Sequence, residues 1–250
     1  MLRAELLKVR SHKLPWIVYA ILVAALVIVA LVLAGPSGRD VRATDMAQVS
    51  VVVQAVLGPL LVIVLGAWIG TLDFRTGTWR IILGRDGRRG LHFANKVGAF
   101  LVVVVVAAIV TFAVGMAAVT GAASAHGGTP SFDGFAADLA YILIVQFVYG
   151  VIALGLGMIT RNFAVSIAIV LVYYVIVDSL LGLLTDVRPF LLGPALGAVG
   201  SELAGISAGT SEPIAVTTLS LTRAAAVIAA YVIVILGAAF AIFWRRDVTR

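Results

Sequence analysis

Few side chains in this sequence are equipped for chemistry, and their spacing excludes most of it. The three histidines, His12, His92 and His126, lie far apart, and there is no cysteine. With no H-E-x-x-H pair either, a zinc protease is not expected, and thiolate metal sites, iron–sulfur clusters and disulfides are excluded. No G-x-x-x-x-G-K-[ST] phosphate loop occurs, so these residues do not hydrolyse nucleotide by that route. No catalytic set and no metal site emerges. What remains is a handful of polar groups inside apolar runs: Gln54, Gln146, Tyr149, Tyr173, Tyr174 and one acid, Asp178. Between membrane helices such groups either hydrogen-bond, worth about 0.6 to 2 kcal/mol each, or line a substrate path. Asp178 stands roughly 25 Å along its helix from Arg161 at about 1.5 Å per residue. That height is nearer the outer interface than the midplane, so it is a candidate outer gate or a helix cap. Gradient-driven carriers keep acids or histidines deep in the bundle, which weighs against that class.

The elements that carry these groups follow from composition. The chain has 250 residues, of which 62% are hydrophobic and 12% charged, with a mean hydropathy of +1.14. Soluble domains are about 25% charged. Apolar runs of about 20 residues match the bilayer core. The expected fold class is therefore an all-α polytopic membrane protein, a single transmembrane domain over 1–250. Six spans are expected at 16–34, 49–72, 97–120, 139–159, 164–184 and 224–244. No soluble ATPase domain fits between them. Residues 1–15 read as an interfacial helix, with Leu2, Leu6 and Val9 on one stripe and Arg3, Lys8, Arg10 and Lys13 elsewhere. In the second span Gly58-Pro59 should kink the helix, and Gly66-x-x-x-Gly70 should admit a close neighbour. Residues 185–223, including Pro189-Phe190-Leu191-Leu192-Gly193-Pro194, are too apolar for a solvated loop and are expected to re-enter the membrane as broken helices. The six spans place fourteen Lys/Arg on one side and four, Arg39, Arg42, Arg188 and Arg223, on the other. The positive-inside rule then puts both termini in the cytoplasm. The net charge of +6 belongs to span ends, which argues against a nucleic-acid surface.

Between the second and third spans, residues 73–96 form the longest cytoplasmic segment. Asp73 is followed four positions later by Gly77-Thr78, then Trp79, the apolar Ile81-Ile82-Leu83, Arg89, and Lys96 before the third span. This pattern resembles the coupling loop of type 2 ABC exporter permeases. Asp86-Gly87 stands where that family often has proline. Thr160-Arg161-Asn162-Phe163-Ala164 is similar to the family's short connection between the fourth and fifth spans, and the apolar segment before the last span to its re-entrant hairpin. Residues 73–96 are read as holding a short helix whose Trp79, Ile82 and Leu83 face seats in a soluble partner. Thr76 or Thr78 would cap its start with Asp73 near its positive dipole end, and the arginines would meet acidic rims or anionic headgroups.

The resemblance implies an exporter permease of the plasma membrane, in a bacterium, driven by two separate ATPase subunits and paired with a second copy or a similar permease. ATP and magnesium would reside in the ATPase, with no cofactor in this chain and membrane lipids as further partners. Asp73, Arg75, Gly77, Thr78, Trp79, Ile82, Leu83, Arg89 and Lys96 would form the coupling interface. The cargo would be hydrophobic or amphipathic: a drug, peptide antibiotic, lipid or glycolipid. Two other classes stay open on the residues alone, a gradient-driven six-helix carrier or channel and a non-transporting immunity or scaffold protein.

Overall fold

A computed structural model describes residues 2–35, 46–77, 89–127, 134–184, 186–204 and 219–245. All regular structure among the described residues is helical: α1 (Leu2–Ser11), α2 (Lys13–Ala34), α3 (Met46–Arg75), α4 (Arg89–Ala125), α5 (Phe135–Thr160) and α6 (Phe163–Val172) come first. A π-helical turn (Tyr173–Val177) and α7 (Asp178–Leu181) prolong α6. A 3-10 turn (Arg188–Phe190), α8 (Leu192–Ala204) and α9 (Leu221–Arg245) complete the order. Five helices, α2, α3, α4, α5 and α9, are long and apolar enough to cross a membrane. The chain is a polytopic membrane protein.

Five of the six expected spans, 16–34, 49–72, 97–120, 139–159 and 224–244, lie within these helices, and several boundaries move. Asp73 and Arg75 belong to the last turn of α3, and residues 89–96 to the first turns of α4. The segment 73–96 is thus no plain loop. Hydropathy changes where the bilayer core ends, whereas a helix stops only where its backbone loses partners. The fifth expected span, 164–184, is an apolar helix broken by the π turn and ending at Leu181. The interfacial segment ends sooner than 15, because Pro15 lies in the first turn of α2. Its ring would clash with the Ser11 carbonyl in an unbroken helix. His12 is extended instead, at φ −96° and ψ 147°.

At the centre, α3 packs on α5 through glycine. A methyl on Gly66 would run into the Gly150 carbonyl, and one on Gly70 would lie 2.5 Å from the Leu154 carbonyl and 3.2 Å from Gly157 Cα. Without a hydrophobic force between helices in lipid, such backbone contact supplies the dispersion that holds them. Buried hydroxyls need partners there, and they turn back on their own helices. Thr71, Thr111, Thr120 and Thr160 donate to the carbonyl four residues earlier at 2.7–2.8 Å. Helix α5 passes to α6 through two residues. Arg161 adopts the left-handed conformation, φ 56°, and Asn162 accepts hydrogen bonds from the Ala164 and Val165 N–H groups as an N-cap.

Gly66→Ala should therefore cost about 1–3 kcal/mol through forced separation of α3 and α5. A methyl on Gly121 of α4 meets nothing within 4 Å among the described residues. Gly121→Ala should be silent. Thermal unfolding in mild detergent checks both, and equal melting temperatures would contradict the packing argument.

Candidate functional site

Two polar clusters lie at different heights in the bundle. The first closes the end that carries Lys8, Arg75, Lys96 and Arg161. Asp73 sits in the last turn of α3, where the helix dipole is negative and a carboxylate is disfavoured. Two lysines compensate it: Lys96 Nζ of α4 lies 2.5 Å from Asp73 Oδ2, and Lys8 Nζ of α1 lies 3.0 Å from Oδ1. Lys8 also reaches Glu5 at 2.7 Å. Asp73 and Lys96 are only 6% and 5% exposed. Burial works against the charge on Lys8, but the Glu5 and Asp73 carboxylates outweigh it and hold the ammonium above its ordinary 10.5. The Lys8 contribution is complete below that value and lost as pH rises through the raised one, so it is intact at neutral pH.

Rings and cations extend this clasp sideways. The Arg161 guanidinium lies 4.9 Å from the Phe74 ring centroid, and Arg75 lies 5.7 Å from that of Phe163. These contacts tie the end of α3 to the α5–α6 turn. Arg89 Nη1 donates to the Trp244 carbonyl at 2.7 Å, joining α4 to α9. Beyond Arg75, Gly77 has φ +69° and is exposed. It stands just past the helix end, the position where a left-handed glycine terminates an α-helix.

The structure places several residues of the expected coupling interface. Asp73 and Lys96 pair with each other inside the bundle end. Asp73 lies in the last turn of α3, the Thr76 hydroxyl donates backward to the Leu72 carbonyl at 3.0 Å, and the short helix they were expected to start falls outside the described residues. Arg75 and Gly77 are exposed at this end. Thr78, Trp79, Ile82 and Leu83 lie outside the described residues. Lys8 and Glu5 completed the cluster without being expected. Their signal was available: a lysine on the polar side of an amphipathic helix, and an acid at the mouth of a span that needs a cation.

The second cluster surrounds Asp178, more than halfway along the bundle from the clasp. From Phe163 to Asp178 the rise is roughly 22 Å at about 1.5 Å per residue. Tyr149 donates its hydroxyl to Asp178 Oδ2 at 3.0 Å. The Tyr149 and Tyr174 rings meet edge to face at 4.8 Å, and Tyr174 donates to the Val56 carbonyl at 3.0 Å. Tyr173 donates to Tyr231 of α9 at 3.0 Å, and Tyr231 donates to the Phe190 carbonyl at 3.3 Å. Tyr231 was not singled out from sequence, although a tyrosine within an apolar span is the same signal as Tyr149.

Helix α8 begins inside this cluster. Its Leu192 N–H donates to the Tyr173 hydroxyl at 3.2 Å, and Gly193 lies against the Asp178 carboxylate. Pro194 has no N–H to satisfy, and the Ala195 N–H already bonds the Leu191 carbonyl. The first donor of the turn is met by a side chain of the preceding span. Gly193 packs on Asp178 beside Tyr149, and Gly200 on Tyr141. Seven residues along α8 and eight along α5, about 10–12 Å, set the start of α8 level with Tyr149 and its middle level with Tyr141.

Gln54 and Gln146 form a separate layer. Both are buried, with Gln54 Nε2 3.4 Å from Ser50 Oγ. Gly58 packs against Gln146, and Gly115 against Ser50 and Gln54. The structure brings Tyr149, Tyr174 and Asp178 to one cleft, with Tyr173 one residue away bonding the start of α8. The glutamines are not among the residues that line that cleft. One string of the form G-x-S-x-G, Gly205-Ile206-Ser207-Ala208-Gly209, occurs in the chain. It lies outside the described residues, and the strand that such a serine elbow follows is absent among them.

The clasp makes a measurable demand. Asp73→Asn leaves buried Lys96 without its counter-charge and should destabilise the protein by about 3–5 kcal/mol. Lys8 is more exposed and Asp73 keeps Lys96 when it is removed, so Lys8→Met should cost about 1 kcal/mol or less. Denaturant titration of each variant in micelles separates the two. Equal losses would show that the carboxylate is not the hub.

No curated protein matches the chain. A family model described as ABC-2 family transporter protein matches residues 1–177, which covers α1 to α6, the buried Asp73–Lys96 pair and the short α5–α6 connection. That match spans more than half of a polytopic helical bundle, and the chain belongs to the ABC-2 transporter family.

Proposed function

We propose that this chain is the membrane half of an ATP-driven exporter that moves a hydrophobic or amphipathic substrate out of the cytoplasm or the inner leaflet. The family in general works with an ATPase partner. The present reading adds two separate ATPase subunits holding ATP and magnesium, and two permeases, either identical or similar. Its clasped end is cytoplasmic, both termini lie inside, and the membrane is the plasma membrane of a bacterium. Substrates are drugs, peptide antibiotics, lipids or glycolipids. Residues 1–250 act as one transmembrane domain with six spans, and α8 is re-entrant. The start of α8 beside Tyr149 supports that last point.

The observation that carries the reading is the charged clasp with Gly77 at its edge. A push on residues 78–88 can tilt a bundle only if the helices flanking them are tied together. Asp73, Lys96, Lys8 and the Arg89–Trp244 contact tie α1, α3, α4 and α9 at that end. Trp79, Ile82 and Leu83 would then be the apolar contacts of the ATPase groove, with Thr78 beside them and Arg75 on the rim.

Gly77→Pro should abolish ATPase-coupled export while membrane insertion continues. Proline fixes φ near −65°, whereas the position needs +69°. Trp79→Asp should do the same by removing an interface anchor. The check is native mass spectrometry of the chain co-expressed with its genomic neighbours, together with ATP hydrolysis in nanodiscs. A complex of two permeases and two ATPases, uncoupled by either variant, is expected. Recovery of the chain alone would sink the exporter reading and favour a gradient-driven carrier or a scaffold.

A further inference from the structure

Asp178 has more to offer than its contact with the start of α8. One oxygen accepts from Tyr149, while Oδ1 is buried and has no hydrogen-bond partner. No lysine, arginine or histidine among the described residues forms an ion pair with this carboxylate. Arg223, on a neighbouring helix, is stacked on Phe190 instead. Yet Asp178 stands in the wall of a cleft of about 450 Å³, lined with it by Tyr149, Tyr174, Val175, Gly193 and Pro194. That volume is in the range of small-molecule sites, about 300–1,000 Å³. An acid at bilayer depth without a cation is costly, and such residues mark the paths of ions and substrates.

The lining chemistry selects the missing charge. Aromatic rings present negative faces that attract cations, most strongly when both are out of water. Tyr149 and Tyr174 meet edge to face at 77° and both line the cleft, placing two rings beside the carboxylate. Val175 and Pro194 add apolar walls. A carboxylate backed by two tyrosines and flanked by apolar surface binds an organic cation with a hydrophobic body and repels an anion of the same shape. We propose that the Asp178 cleft is the substrate site and that it takes lipophilic organic cations, the charged centre against Asp178 and the apolar body against Tyr174, Val175 and Pro194. This assignment deepens the exporter reading and rests on the chain being a transporter.

The probe is radiolabelled tetraphenylphosphonium, bound at equilibrium to the full chain in nanodiscs without any ATPase. Radiolabelled tetraphenylborate, an anion of nearly the same shape, is titrated in separate samples, because the two ions precipitate together. Saturable binding of the phosphonium is expected, and none of the borate. Asp178→Asn keeps an acceptor for Tyr149 but removes the charge, and should weaken binding about tenfold or more, the size of a charge-assisted contact. Val175→Trp fills the cleft from an exposed position (54% exposed) and leaves the carboxylate in place. It should block binding even if Asp178→Asn fails to fold. Absence of saturable binding, equal affinity in a folded Asp178→Asn or in Val175→Trp, or equally tight saturable binding of the borate would each overturn the assignment. Because the measurement needs no ATPase, the two readings fail separately. An Asp178-dependent cation site in a chain that engages no ATPase would leave the site standing and remove the exporter. ATP hydrolysis stimulated by other compounds, with no cation bound, would do the reverse.

Discussion

The glycine contact between α3 and α5 sets the geometry of everything else. Backbone against backbone is the closest approach two helices can make, and it fixes their mutual height as well as their distance. With Gly66 on Gly150 and Gly70 beside Leu154 and Gly157, Asp73 and Phe74 must emerge level with the α5–α6 turn. Phe74 then meets Arg161. In the other direction, Gly58 meets Gln146 and the last helical turns before Pro59 meet Tyr174. A bulkier residue along that seam would displace the clasp and the cleft together, because both hang from the same register.

How much of this could be read beforehand depends on the range of the interaction. Long apolar helices, the basic end and the Gly66-x-x-x-Gly70 face are local patterns, and five of the six expected spans lie within the long helices. The α5–α6 connection was also visible, since Asn162 is a good N-cap and a turn of two residues leaves little freedom. What escaped is non-local. Asp73 and Lys96 were both picked out, but as parts of a surface. Nothing in their spacing says that Lys8, sixty-five residues away from Asp73, joins them. The start of α8 is similar. Sequence shows an apolar stretch with prolines, whereas its start rests against a hydroxyl and a carboxylate from the preceding span.

That start illustrates how a broken helix survives away from water. Each unsatisfied N–H in a hydrocarbon environment costs several kcal/mol, and a helix has up to four at its beginning. Proline at Pro194 removes one by lacking a hydrogen. Tyr173 takes another, and Asp178 lies beside Gly193. Polar residues in the fifth span thus serve the chain that follows them, which is why they look unpaired when that span is considered by itself.

The π turn at Tyr173–Val177 gives the fifth span a phase shift. In it the Asp178 N–H bonds the Tyr173 carbonyl, five residues back rather than four. Each wider turn rotates all later side chains relative to an unbroken α-helix. The span therefore carries two independent angular settings on one axis. One orients the face built from Ser166 and Val170 toward the bundle. The other dials Asp178 round to Tyr149 and the start of α8. Were the widened turn to relax into ordinary α-helix, the carboxylate would swing away from both without any helix moving sideways.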